Sequence, residues 1–239
     1  MKRQEISSLL FEKVKIVQPY PPDVVPVDKM LDITAFFPGG NGLWSEEHTD
    51  IIPNILVLGQ DFSTLEDYKR IVLGESTDLG CPTWRNLIEL FDEVSIDLKR
   101  CFFSNVFMGL RKEGSLTGKF PGARDKEFVK RNLEFLLFQI DSIRPNIIIT
   151  LGRPASEMIA KISDTLSHEW DKGKALSVPY NGIKRGIKVG THMTTCVALE
   201  HTSMRNTNVK RRRYKNDTGD YSGHQAEVEM LKDAIKQTI

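Results

Sequence analysis

An aspartate, an asparagine and a histidine stand where three apolar runs of this chain turn polar. Asp61 follows NILVLG and Gln60, Asn105 interrupts CFFSNVFM, and His201 follows TTCVALE and precedes Thr202 and Ser203. A positioned carboxylate or imidazole can move a proton or steady a developing charge, and a side-chain amide offers a donor and an acceptor side by side. Each residue also has a plain structural use. Asp61 is well placed to cap a helix beginning near Thr64, Asn105 can satisfy a neighbouring strand end, and His201 can be a structural histidine. What separates the two readings is whether the strands deliver all three to one place.

The runs themselves look like strands. Ile55, Leu56, Val57 and Leu58 are consecutive and apolar, as in a strand buried on both faces of a parallel sheet, and Gly59 ends the run. NIIITLG (146–152) repeats the plan, and 101–108 and 194–203 supply two more. In open parallel sheets, ligands bind beyond the carboxyl ends of the strands, which is where Asp61, Asn105, Gly152 and His201 would then lie. Apolar spacing predicts helices over 63–73, 81–91, 128–143 and 154–162, a weakly amphipathic one over 5–17, and a closing one over 227–239. Pro21, Pro22 and Pro26 favour an extended connection. The glycine-rich FFPGGNGLW (36–44) either bounds a pocket or turns aromatics into the core, and 74–80 is loop-like. Residues 111–125 form a long connection of a kind often tied to function, and 163–190 reads as mixed and turn-rich. Strand alternates with helix, so the expected fold is α/β: a three-layer α/β/α sandwich around a mostly parallel sheet. One domain over 1–239 is expected, with a helix and Pro/Gly-rich extension over 1–50, a motif-bearing core over 53–213 and a C-terminal helix over 223–239.

The chain has 239 residues, 40% of them hydrophobic, with 33 basic residues against 32 acidic ones. That is an ordinary globular composition and favours no class of partner. No apolar stretch is long enough to span a bilayer, and the start does not read as a signal peptide. Cys81, Cys101 and Cys196 are far apart and include no CxxC pair. They read as buried thiols rather than disulfides or metal ligands, which points to a reducing, cytoplasmic setting. Lys210, Arg211, Arg212 and Arg213 form either a solvated surface or a patch that neutralises phosphates. His48, His168, His192 and His224 share no ligand spacing.

Taken in order, these pieces resemble the uracil-DNA glycosylase superfamily. Gly59, Gln60 and Asp61 match the opening of its GQDPYH motif, and CPTWRNLIELF is similar to its PPSLxNIYKEL helix. Residues 103–106 resemble the strand that carries the uracil-reading Asn, and RPNIIITLG is close to the RPKVIVTLG run. His201 and Ser203 match the HPS that opens the last motif. The likeness covers roughly Pro53 to Arg213. Phe62 stands where the family has proline, Thr202 replaces the proline of HPS, and the four-cysteine cluster of the iron–sulfur branch is absent.

The resemblance implies a monofunctional DNA glycosylase of base excision repair. It would rotate a nucleotide out of the stack and hydrolyse the N-glycosidic bond of uracil or another deaminated base. In that scheme Asp61 stabilises the cationic sugar and orients the attacking water, His201 donates a hydrogen bond to the departing O2, and Asn105 reads N3–H and O4. Gly59, Gln60, Phe62 and Ser203 complete the substrate site, with Phe62 or Trp84 as the ring that stacks on the base. Met204 is the apolar wedge, and Arg205, Lys210, Arg211, Arg212 and Arg213 grip DNA. No lysine, metal or cofactor is needed, and a monomer acting on DNA away from membranes is expected. Two other readings stay open: a superfamily member that binds nucleic acid or a nucleobase without excising it, and an α/β protein for a nucleotide-like small molecule. The last is weakened because no GxGxxG or Walker-type loop follows any strand.

Overall fold

An apolar run with no polar face needs cover on both sides, and this chain supplies it by alternating strand with helix. The computed structural model describes residues 1–26, 36–38, 42, 51–73 and 81–236. Helix α1 (Arg3–Lys13) passes through a 3₁₀ turn (Val14–Val17) to the short β1 (Val24–Val25). Then follow β2 (Ile55–Gly59), α2 (Leu65–Val72), α3 (Pro82–Glu93), β3 (Cys101–Asn105), β4 (Leu110–Arg111), α4 (Lys126–Ile143), β5 (Ile147–Leu151) and α5 (Arg153–Ala160). Two short helices, α6 (Asp164–Glu169) and α7 (Lys174–Ser177), lead to β6 (Ile183–Val189) and β7 (His192–Leu199). The chain closes with α8 (Arg205–Asn208), the hairpin of β8 (Arg213–Asn216) and β9 (Gly219–Ser222), and α9 (His224–Lys236).

The central sheet has the order β3-β2-β5-β7-β6, parallel except for β6, which pairs antiparallel with β7. Gly59 is in register with Asn105, and Leu151 with Leu199. The carboxyl ends of four strands therefore open along one edge. The step from β2 to β3 runs one way across the sheet, and the steps from β3 to β5 and from β5 to β7 run the other. On β3, Phe103 packs against Trp84 of α3 while the next residue, Ser104, bonds Gln139 of α4, so these helices cover opposite faces of the sheet, giving the three layers expected.

Helix α4 shows why the strands sit where they do. Its buried residues Phe128, Asn132, Phe135, Leu136, Gln139, Ile140 and Ile143 form one stripe at helical spacing. Asp125 caps its start by accepting the Phe128 N–H at 2.9 Å. Two polar residues in that stripe tie the helix to the 101–108 run: Ser104 Oγ donates to Gln139 Oε1 at 2.6 Å, and the Met108 backbone N–H donates to Asn132 Oδ1 at 2.8 Å. One buried apolar cluster extends from Ile6 to Ala234, so the first and last helices share the core of the sheet.

Two features depart from the sequence reading. The turn-rich 163–190 contains β6, an edge strand in which Ile183, Ile187 and Val189 are buried while Arg185 and Lys188 are exposed. Its register slips between Lys184 and Ile187, around Gly186 with φ +61°, and the bulge breaks the alternation that would have announced a strand. The β8–β9 hairpin was likewise not expected. Of the 36–44 loop only residues 36–38 and 42 are described, and 74–80 and His48 lie outside the described residues. Phe37 is fully buried, and its N–H donates to Phe103 O at 2.9 Å on the outer edge of β3. None of the three cysteines forms a disulfide. No helix among the described residues is long and apolar enough to cross a membrane.

Candidate active site

Asp61, Asn105, Gly152 and His201 all line one cavity of about 1070 Å³ at the carboxyl ends of the strands. The register explains the convergence. Gly59 and Asn105 end adjacent strands side by side, Asp61 lies two residues beyond Gly59, and His201 lies two residues beyond Leu199. Gly59 is required by contact: a Cβ there would sit 2.3 Å from Asn105 Oδ1. Gly152 is required twice over, by its φ of +85° and by the His201 Cβ, 3.1 Å from where its own would be. Gln60, Phe62 and Ser203 line the same cavity, so every residue expected to surround the substrate borders it.

The carboxylate of Asp61 is engaged. Arg111 Nε donates to its Oδ1 at 3.2 Å and Arg111 Nη2 to its Oδ2 at 2.9 Å, a two-pronged ion pair with both side chains 5% exposed. The Ser63 N–H also donates to Oδ1, at 3.0 Å, across a turn in which Ser63 has φ +72°. The alternative use of Asp61 as a helix cap is not realised. Thr64 caps α2 instead, its Oγ1 accepting the Asp67 N–H at 3.1 Å. Arg111 opens a long loop, and no local pattern in the sequence joins it to a residue 50 positions earlier.

His201 opens a tight turn. Its carbonyl accepts the Met204 N–H at 2.9 Å, and Asn86 Nδ2 of α3 reaches across to donate to Thr202 O at 2.8 Å. Burial lowers the His201 pKa below the ordinary histidine value, and the nearby Asp61 charge opposes that shift. The ring is therefore neutral at pH 7 and carries one N–H. Its Nδ1 is 2.8 Å from Ser203 Oγ. When the Ser203 hydroxyl donates, Nδ1 accepts and Nε2 keeps the proton for a ligand. That tautomer, with Ser203 donating, is the one that can give a hydrogen bond to a ligand.

Behind this turn lies a buried charge cluster that no sequence pattern marks. Glu227 of α9 is fully buried and accepts the Glu200 N–H at 2.7 Å through Oε1 and Arg205 Nε at 3.0 Å through Oε2. Arg212 Nε lies 3.4 Å from the same carboxylate. Glu227 therefore grips the chain just before His201 and just after Met204.

That cluster corrects the expected DNA-facing set. Arg205 and Arg212 are buried, not presented to solvent. Arg205 Nη1 also meets His224 Nδ1 at 2.5 Å. Arg212 spends its guanidinium on Ala175 O, Leu176 O and Ala198 O. The physical reason is alternation: β8 and the 3₁₀ turn before it expose Lys210, Arg211 and Arg213 but turn Arg212 inward. Arg211 lines the cavity, and Met204 both lines it and is 47% exposed. Both candidate stacking rings, Phe62 and Trp84, border the cavity, and Trp84 is also packed against Phe36 and Phe103 at centroid distances of 5.2 and 5.0 Å. Of the described residues of the 36–44 run, Phe36 also borders the cavity and Phe37 lies in the core. Among the described residues, no group of three or more His, Cys, Asp or Glu is arranged to hold a metal ion.

The fold is that of an α/β protein whose mostly parallel sheet gathers an acid, an amide and an imidazole at its strand ends, beside one cavity. The family follows from the sequence as a whole. The chain belongs to the uracil DNA glycosylase superfamily, whose family model matches residues 48–220. No curated protein matches the chain.

Proposed function

We propose that the protein is a monofunctional DNA glycosylase that hydrolyses the N-glycosidic bond of uracil or another deaminated base. Membership of the superfamily supports a glycosylase-type function in general. The observation that carries the finer reading is that Asp61, Asn105 and His201 border one cavity. Asp61 orients the water whose oxygen bonds to the sugar C1′ as the bond from C1′ to the base nitrogen breaks and the base leaves as an anion. His201 donates through Nε2–H to the oxygen on which that charge collects. The water proton passes to solvent or to the departing base, so the products are free base and an abasic site. Asn105 accepts from N3–H and donates to O4; cytosine presents the reverse pattern and leaves the amide mispaired. Met204 is the exposed apolar wedge at the rim.

The test is incubation of the purified protein with oligonucleotides carrying uracil, hypoxanthine or xanthine, followed by alkaline cleavage at abasic sites. Strand breaks at the lesion are expected. No cleavage on any of the three would overturn excision in favour of a superfamily member that binds without cutting.

Lys210 and Arg213, both exposed, are the phosphate contacts of this scheme. Replacing both with alanine is expected to weaken duplex binding uniformly across sequences. The slope of log affinity against log salt should fall in magnitude by roughly 1 to 2, as read by fluorescence anisotropy over a salt series. Replacing the buried Arg212 would instead lower stability, so an unchanged slope in the Lys210→Ala/Arg213→Ala protein would remove these two residues from the interface.

A further inference from the structure

We infer that Arg111 is the positioning residue of the reaction: it holds Asp61 so that a single acceptor position is left for the attacking water. An ionised carboxylate has about four lone-pair positions. On Asp61, Oδ1 accepts from both Arg111 Nε and the Ser63 N–H, and Oδ2 accepts from Arg111 Nη2. Among the described residues three of these positions are filled, and the fourth belongs to Oδ2. Because Asp61 borders the cavity, one water can bind it, in one orientation.

Arg111 is itself saturated. Beyond the two donors spent on Asp61, Nη1 donates to Ser115 O at 3.0 Å and Thr117 O at 2.9 Å, and the second Nη2 proton goes to Gly118 O at 2.8 Å. All five N–H groups of the guanidinium are committed, leaving none for an incoming phosphate or base. The Arg111 backbone is fixed as well, its N–H donating to Ser63 O at 2.8 Å. A planar fork locked on both sides sets the carboxylate plane of Asp61, which a lysine ammonium cannot do. The pair also has little net charge, so Asp61 contributes to the reaction by directing water more than by placing a bare anion under the sugar. Arg111 also lines the cavity, but with every N–H committed it acts through Asp61.

This inference rests on the excision reading above, and a double-mutant cycle separates the two. Steady-state excision kinetics would be measured for wild type, Arg111→Lys, Asp61→Ala and the double variant, each checked for folding by near-ultraviolet circular dichroism. Arg111→Lys is expected to lower kcat about ten- to a hundredfold with KM little changed. Placed on Asp61→Ala, it is expected to cost nothing further, because the group it orients is gone. Arg111→Gln runs the same cycle should the lysine variant not fold. An equal loss in both backgrounds, or a raised KM with kcat intact, would overturn the inference and leave Arg111 as a tie for the 112–119 loop. A wild-type protein that excises nothing removes the excision reading and this inference together, whereas additive losses in an active enzyme remove this inference alone.

Discussion

Replacing Glu227 with alanine is expected to destabilise the fold by about 3–5 kcal/mol, the cost of leaving buried charges without their partner. The side chain is 0% exposed, and its two guanidinium partners, Arg205 and Arg212, are 8% and 2% exposed. Neither guanidinium is open enough to solvent to regain full hydration once the carboxylate is gone. The Glu200 N–H would lose its acceptor too. Glu227→Gln keeps an oxygen for that N–H but not the charge, so its loss should be intermediate. Glu229→Ala, two residues along the same helix, removes a pair to the partly exposed Lys232 and a hydrogen bond from the exposed Gln225 and should change stability by no more than about 1 kcal/mol. Urea unfolding of the three variants checks the ranking. A Glu227→Ala loss similar to that of Glu229→Ala would mean that the buried cluster does not hold the fold together.

Replacing His201 with alanine is expected to lower the rate of base excision about a hundredfold to a thousandfold, the usual cost of removing one donor aimed at developing negative charge. Binding of uncut duplex should change far less, because the donor acts on charge that appears only as the base departs. The same residue leaves a mark on stability. Its folded pKa lies below the ordinary histidine value because of burial, with Asp61 opposing. As pH falls below about 6.5, the unfolded chain takes up the proton before the folded one does, so this group removes stability as pH drops toward the folded value. His201→Ala lacks that component, and its stability should fall less steeply with acid over the same window. Excision within a few fold of wild type would remove His201 from the chemistry.

The sequence laid out the site more fully than it laid out the support for the site. Gly59, Asp61, Asn105, Gly152 and His201 could be placed at strand ends because each follows or closes a short apolar run, and such runs are local and readable one at a time. Helix α4 was readable for the same reason, as a stripe of apolar residues at helical spacing. β6 was not, because its bulge at Gly186 and its exposed Arg185 and Lys188 break the alternation expected of a half-buried strand.

The fate of charged side chains was decided in three dimensions. Lys210, Arg211, Arg212 and Arg213 are one basic run in the sequence, yet three of them are exposed and Arg212 is inside. Arg205 joins Arg212 there because a carboxylate 22 residues further along is buried in the same place. Arg111 meets Asp61 over a gap of 50 residues in the same way. A lone charge cannot be buried at reasonable cost, but a charge with a matched and hydrogen-bonded partner can, and whether the partner arrives is a property of the folded chain. Residue type and local periodicity thus determined which groups stand at the strand ends, since those depend on neighbours a few positions away. Which of the charges face solvent, and which hold Asp61 and the His201 turn in place, was settled by tertiary packing, because ion pairing acts through space and leaves no period in the sequence.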